Sequence, residues 1–179
     1  MNSCLKINWS GFYSGQFYGD GILRKFPAVI SKDHEHHGAF FFSAHMILDE
    51  GRHSGPVNML LDTGASQTII GEDDLTKLGV DITSLPRSPH PIAGWGGMTE
   101  SFIIEKPCVI LIDEEKKSEA FALDEILCGR NPRHTRTKSG QKHVRTVSIP
   151  SVIGRDFLRV HNLIVHIDIR NEDVYLFST

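Results

Sequence analysis

The sequence predicts an all-β chain with one or two short helices, and three observations lead to that class. Short runs rich in β-branched and aromatic residues recur at 22–30, 39–48, 57–62 and 107–113, bounded by Gly, Pro, Asn or Asp. Only "GEDDLTKLGV" at 71–80 carries full helix punctuation, with a shorter second helix expected from about Asp156. With 179 residues, 40% hydrophobic and 23% charged, the chain has material for one well-filled core and not two.

Residues 1–21, rich in Gly, Ser, Asn and aromatics, are expected as an irregular arm. "ILRKFPAVI" and "AFFFSAHMIL" are β-prone runs divided by the polar loop "SKDHEHHG", and "DEGRHSG" returns the chain into "PVNMLLD". Three strands in sequence therefore read as a meander. In 71–80, Glu72, Asp73 and Asp74 sit in the first turn, where the helix dipole favours anions, and Gly79 after Leu78 marks the stop. A proline-rich loop follows. "PIAGWGGMTESFIIE" has two apolar arms around a Gly-Trp-Gly-Gly tip, the layout of a hairpin, and "PCVILID" reads as a buried strand.

From 113 the composition changes. "DEEKKSEAFALDE" holds six acids and two lysines, and "GRNPRHTRTKSGQKHVRT" holds six Arg or Lys with no acid. An exposed insertion at about 113–148 with a flexible basic half is expected, and a phosphate-binding patch is the alternative to a solvated loop. The chain closes with "IPSVIGRDFLRVHNLIVHIDIRNEDVYLF", read as strand, short helix and a hairpin turning near Asn171.

The formal charge of −3 and pI near 6.3 provide no overall basic field, so nucleic acid is not an expected partner. Cys4, Cys108 and Cys128 are odd in number and widely spaced, which indicates neither a disulfide framework nor a zinc site. No run has the length of a signal-peptide core or a membrane span, and a cytoplasmic protein is expected.

The informative stretch is "VNMLLDTGASQTII". Its "NMLL" does not alternate, which predicts a strand buried on both faces, and an ionised Asp62 at its end must then receive hydrogen bonds. Gly64 lets the backbone turn its amide toward the carboxylate, while Thr63 and Ser66 add short hydroxyls. An Asx-type turn is the plain structural alternative. The wider context favours a site: apolar residues before, Ala65 and Ser66 after, and "SVIGRDFL" roughly ninety residues downstream.

With these elements in this order, residues 22–179 resemble the retropepsin-like aspartic proteases, with a gap at the insertion. The resemblance implies a closed or partly open β-barrel and peptide-bond hydrolysis without a metal or organic cofactor. Because one Asp-Thr-Gly stands where two-lobed relatives have two, it also implies a homodimer in which Asp62 of each copy forms a proton-sharing dyad. The same match makes Thr63 and Gly64 active-site supports, with Ala65 and Ser66 completing the loop. Gly94, Trp95, Gly96 and Gly97 match a flap over an extended peptide, and Ile153, Gly154 and Arg155 a structural segment beside the site. Ile149, Pro150 and Ile153 are candidate cleft walls. Ser66 stands where retroviral enzymes commonly have an aspartate that pairs with the arginine, so Arg155 is expected to lack that partner. Two other readings are a noncatalytic dimeric peptide-binding module of this fold and a metal site on His34, Glu35, His36 and His37, which lack H-E-x-x-H spacing.

Overall fold

The computed structural model describes residues 24–32, 38–94, 97–138 and 141–178. The arm at 1–21, the His34–His37 loop, and Trp95 and Gly96 lie outside them. The first strands are β1 (Arg24–Pro27), β2 (Val29–Ile30), β3 (Phe40–Leu48) and β4 (His53–Leu61). Next come β5 (Ile69–Gly71), α1 (Glu72–Lys77), β6 (Ile92–Gly94), β7 (Gly97–Thr99) and β8 (Ser101–Glu105). The middle of the chain supplies β9 (Cys108–Ile112), β10 (Ser118–Ala122), β11 (Glu125–Gly129), β12 (Arg133–Lys138) and β13 (Gln141–Thr146). The end supplies β14 (Ser151–Ile153), α2 (Arg155–Val160), β15 (Ile164–Asp168) and β16 (Asp173–Ser178).

Nine strands form one curled, half-barrel sheet in the order β10-β9-β3-β4-β14-β5-β11-β8, with β2 paired to β3. The expected meander is β2, β3 and β4, joined antiparallel. The departure from meander logic is at the centre. There β14 enters from the end of the chain, runs parallel to β4 with Met59 opposite Ser151 and Leu61 opposite Ile153, and meets β5 at Ile69 on its other side. A separate three-stranded sheet, β1-β16-β15, closes one side, and Phe26, Phe121 and Phe157 join it to the main core by edge and tilted ring contacts.

Both helices end as their sequences require. At α1, Gly79 (φ +81°) donates to Thr76 O and Val80 donates to Leu75 O, the paired bonds of a Schellman stop. At α2 the same two bonds run from Asn162 to Arg159 O and from Leu163 to Leu158 O, with Asn162 at φ +52°. Leu75 and Phe157 anchor the two helices in the core.

Two expectations are corrected. Strand β4 alternates after all: Gly55, Val57, Met59 and Leu61 are buried, Ser54, Pro56 and Asn58 are exposed, and Leu60 is only half-buried. It is a one-sided strand, since the curled sheet leaves its convex face to solvent. The acidic half of the segment expected to be exposed is not wholly exposed either. Strands β10 and β11 lie within the main sheet and bury Phe121, Leu123, Ile126, Leu127 and Cys128. The carboxylates of Glu114, Glu115, Asp124 and Glu125 stay exposed at turns and strand ends. Only the basic half leaves the sheet, as the two-stranded hairpin β12–β13.

Candidate active site

Asp62 follows the last residue of β4, and its N–H donates to Ile153 O of β14 at 3.2 Å. The chain then turns back on its own carboxylate. Gly64 N–H donates to Asp62 Oδ1 at 2.8 Å and Ala65 N–H to the same oxygen at 3.3 Å. A methyl group on residue 64 would stand 3.0 Å from that oxygen, so the approach favours glycine. The turn anticipated from the sequence is present, but the carboxylate is not entombed: Asp62, Thr63, Gly64 and Ser66 are exposed. Among the described residues, the second carboxylate oxygen has no hydrogen-bond donor.

What fixes this loop comes from the far end of the chain. Arg155 N–H donates to Ala65 O at 3.0 Å. Thr68, fully buried, donates its N–H to Asp156 Oδ2 at 2.9 Å and its hydroxyl to Asp156 Oδ1 at 2.7 Å. The same hydroxyl accepts Gly154 N–H at 3.1 Å, and Asp156 Oδ1 also accepts Phe157 N–H at 2.7 Å. Gly154 lies so close to the loop that a side chain there would overlap Gln67 C and O and stand 2.8 Å from Thr68 N. Among the described residues, the exposed Arg155 guanidinium has no ion-pair partner. Asp156 supplies the side-chain mooring instead.

Helix α1 ties down the other end of β14. Ser151 Oγ donates to Asp74 Oδ2 at 2.7 Å and accepts Gly71 N–H at 3.0 Å. Asn131, buried, donates its N–H to Glu72 at 2.7 Å and its amide to Asp73 at 2.8 Å, and its carbonyl oxygen accepts Ile149 N–H at 2.9 Å. Ser148 adds a bond to Asp73 at 2.6 Å. The acids read as dipole partners therefore also fasten the segments on either side of β12–β13.

The expected hairpin exists as β6–β7, with Gly94 opposite Gly97, Gly97 at φ +100°, and Met98 exposed. Its tip residues Trp95 and Gly96 fall outside the described residues. The foot is well tied: Thr99 Oγ1 donates to Arg130 O at 2.5 Å, and Glu100 joins Arg130 at 2.8 Å and Arg87 at 2.7 Å. Ile153 is buried in the sheet and Gly154 at the start of α2, while Ile149 and Pro150 are half-buried beside Gly71 and Gly129. Burial, with Glu72 adding to it, pushes the Cys128 thiol up to about 12, so it provides no nucleophile. Among the described residues no three His, Cys, Asp or Glu converge to hold a metal ion, and no helix is long and apolar enough to cross a membrane.

The residues missed from the sequence are Thr68, Asp156, Ser151 and Asn131. Asp156 lay in plain view after Gly154-Arg155, but its partner sits 88 positions earlier.

Residues 48–101, which span the Asp62 loop, α1 and the β6–β7 hairpin, match a family model described as aspartyl protease. Among solved structures, the chain is similar to a retropepsin-like aspartic protease from Rickettsia conorii. That match has 16% identity and a TM-score of 0.50, covering 88% of this chain and 92% of the other. It is also similar to the EIAV protease complexed with the inhibitor HBY-793 (17% identity, TM-score 0.37, 70% and 91% covered). A third similar structure is the retroviral protease-like domain of Ddi1 from Leishmania major (15% identity, TM-score 0.40, 75% and 91% covered). No curated protein matches the sequence. The fold is retropepsin-like, and residues 48–101 are similar to the aspartyl protease family model.

Proposed function

We propose that the chain is an aspartic endopeptidase whose catalytic dyad consists of Asp62 from two copies. The observation that carries this reading is the exposed Asp62 carboxylate, held at one oxygen by two backbone amides on a loop moored to β14 and α2. An exposed carboxylate on a rigid mount is half of a dyad waiting for its twofold mate. Two carboxylates held close cannot both ionise, so the pair shares a proton. The ionised member takes a proton from a bound water as its oxygen attacks the scissile carbonyl, and the protonated member gives its proton to the carbonyl oxygen. The resulting gem-diol then collapses, the C–N bond breaks, and the amine leaves with a proton from the dyad.

In this reading Thr63 and Gly64 support the carboxylate from their own loops and across the twofold axis. Gly94 and Gly97 belong to an arm that closes with Trp95 and Gly96 over the substrate, which binds as an added strand. The chemistry requires no cofactor.

The test is a mixed peptide library incubated with the protein and with Asp62→Asn at acidic and neutral pH, read by mass spectrometry, beside light scattering for size. Cleavage by the wild type alone, from a dimer, is expected. Equal cleavage by both proteins, cleavage by neither, or a monomer at every working concentration would overturn the proposal. Peptide binding without cleavage would point to the noncatalytic module instead.

A further inference from the structure

The proline-rich loop ahead of the β6–β7 arm is fastened along β8. Ser88 N–H donates to Ser101 O and Ile103 N–H to Pro86 O, each at 2.8 Å, with Arg87 opposite Phe102. The next turn of the loop is closed by two hydroxyls, because Ser88 Oγ and the buried Ser101 Oγ both donate to His90 O. Between this loop and the chain returning from the arm lies an open cavity of about 570 Å³. Arg87, Pro89 and Pro91 line it from the loop, and Met98, Glu100 and Ser101 from the returning chain. Ligand pockets commonly hold about 300–1,000 Å³, so the space suits a small molecule.

The lining combines apolar walls with a cation that is only partly used. Glu100 divides its carboxylate, Oε1 to Arg87 at 2.7 Å and Oε2 to Arg130 at 2.8 Å. Arg130 is committed further: its N–H donates to Glu100 O at 3.0 Å, its carbonyl accepts the Thr99 hydroxyl, and its guanidinium lies over the Phe102 ring at 5.0 Å. Arg87 meets Glu100 through one nitrogen, and its side chain stays 68% exposed with further N–H donors in the guanidinium plane. Met98 is 72% exposed, a flexible apolar side chain in the same cavity as two proline rings.

We infer that this cavity is a binding site for a small molecule with an apolar body and a single carboxylate. The carboxylate takes the spare donors of Arg87, whose planar fork matches its two oxygens. A dianion such as a phosphate monoester is disfavoured, because the Glu100 carboxylate already lies against the same guanidinium. The apolar body covers Pro89, Pro91 and Met98 and removes their surface from water. An occupant would join the loop to the returning strand and so stiffen the foot of the arm. The site stands apart from the protease reading, since none of its residues belongs to the Asp62 loop.

The test is an NMR titration of the isotope-labelled full chain with phenylbutyrate, its uncharged amide, and acetate. Phenylbutyrate is expected to shift amides within 86–92 and 97–101, with a Kd on the order of millimolar for so small a ligand. Its amide should bind about fivefold more weakly, the worth of one exposed ion pair, and acetate more weakly still for want of the apolar body. Arg87→Gln should erase the preference for the acid, Glu100→Gln should raise it, and Met98→Ser should weaken acid and amide alike. Unshifted peaks in the rest of the main sheet check that each variant is folded. Equal Kd values for acid, amide and acetate, no binding of any probe, an unchanged preference in Arg87→Gln, or shifts centred on residues 62–68 would overturn the inference. The same titration of Asp62→Asn should give the wild-type result, so a chain that cuts no peptide removes the protease reading and leaves this site in place.

Discussion

Replacing Asp156 by alanine removes the group that holds the Asp62 loop from below. Two bonds from Thr68 disappear, an N–H at 2.9 Å and a hydroxyl at 2.7 Å, and the fully buried Thr68 amide is left without an acceptor. Hydrogen bonds to a charged group contribute roughly 1.5–3 kcal/mol each. Asp156 itself is half-exposed, so the low end applies, and a total of about 3 kcal/mol is expected for Asp156→Ala. Thr68→Val deletes only the hydroxyl, and the double variant should cost at least about 1 kcal/mol less than the sum of the singles, since both remove the same bond. Asp156→Asn keeps one acceptor for the Thr68 amide and should lie between wild type and alanine. Urea unfolding at fixed protein concentration measures the wild type and all four variants, and hydrogen exchange of residues 62–68 shows whether the loss is local. A cost for Asp156→Ala below about 1 kcal/mol, or strict additivity with Thr68→Val, would refute the mooring role.

Gly154→Ala drives a methyl group into the Gln67 carbonyl and against Thr68 N, so the loop must shift. A loss of about 3 kcal/mol or more in thermal unfolding is expected, together with faster exchange in the 62–68 loop, whereas a neutral result would contradict the packing. His161 lies between the rings of Phe121 and Phe157 at 5.1 and 5.0 Å, with Nε2 buried and unpartnered among the described residues, and burial lowers its pKa below the usual 6.5. Below about 6.5 the unfolded imidazole takes up a proton that the folded one refuses, so stability should fall as pH drops toward the depressed folded value. His161→Gln should flatten that decline in urea midpoints measured between about pH 7 and 5, and an unchanged slope would exclude His161 as its source. Cys128, with its thiol pushed up to about 12, should resist maleimide at neutral pH in the folded protein and react on unfolding, as peptide mapping would show.

Local chemistry was legible wherever the structure answers to neighbours in sequence. The acids and Gly79 around 71–80 define α1, the glycines around residue 95 define the β6–β7 hairpin, and Gly64 returns its amide to Asp62. Distant pairings were not legible. The six acids of 113–125 concealed the apolar rhythm of Phe121, Leu123, Ile126 and Cys128, because turn and strand-end positions absorb charge without disturbing a buried face. Likewise "NMLL" looked two-sided, although Leu60 faces a half-covered side of the curled sheet. Thr68, Asp74 and Asp73, which bond Asp156, Ser151 and Asn131 respectively, lie 58 to 88 residues away from them, and no local pattern announces them.

The central position of β14 has a consequence in time. Asp62 and its turn are made first, and Asp156, which holds them through Thr68, leaves the ribosome 88 residues after Thr68 together with its neighbours Ile153 and Gly154. Contacts of such separation close late in folding, after a costly loop search. A nascent chain or a fragment ending before Ser151 would carry the Asp-Thr-Gly triplet without the frame that aims it. The order of synthesis therefore acts as a delay, keeping the carboxylate unmounted until β14 and the start of α2 have been made.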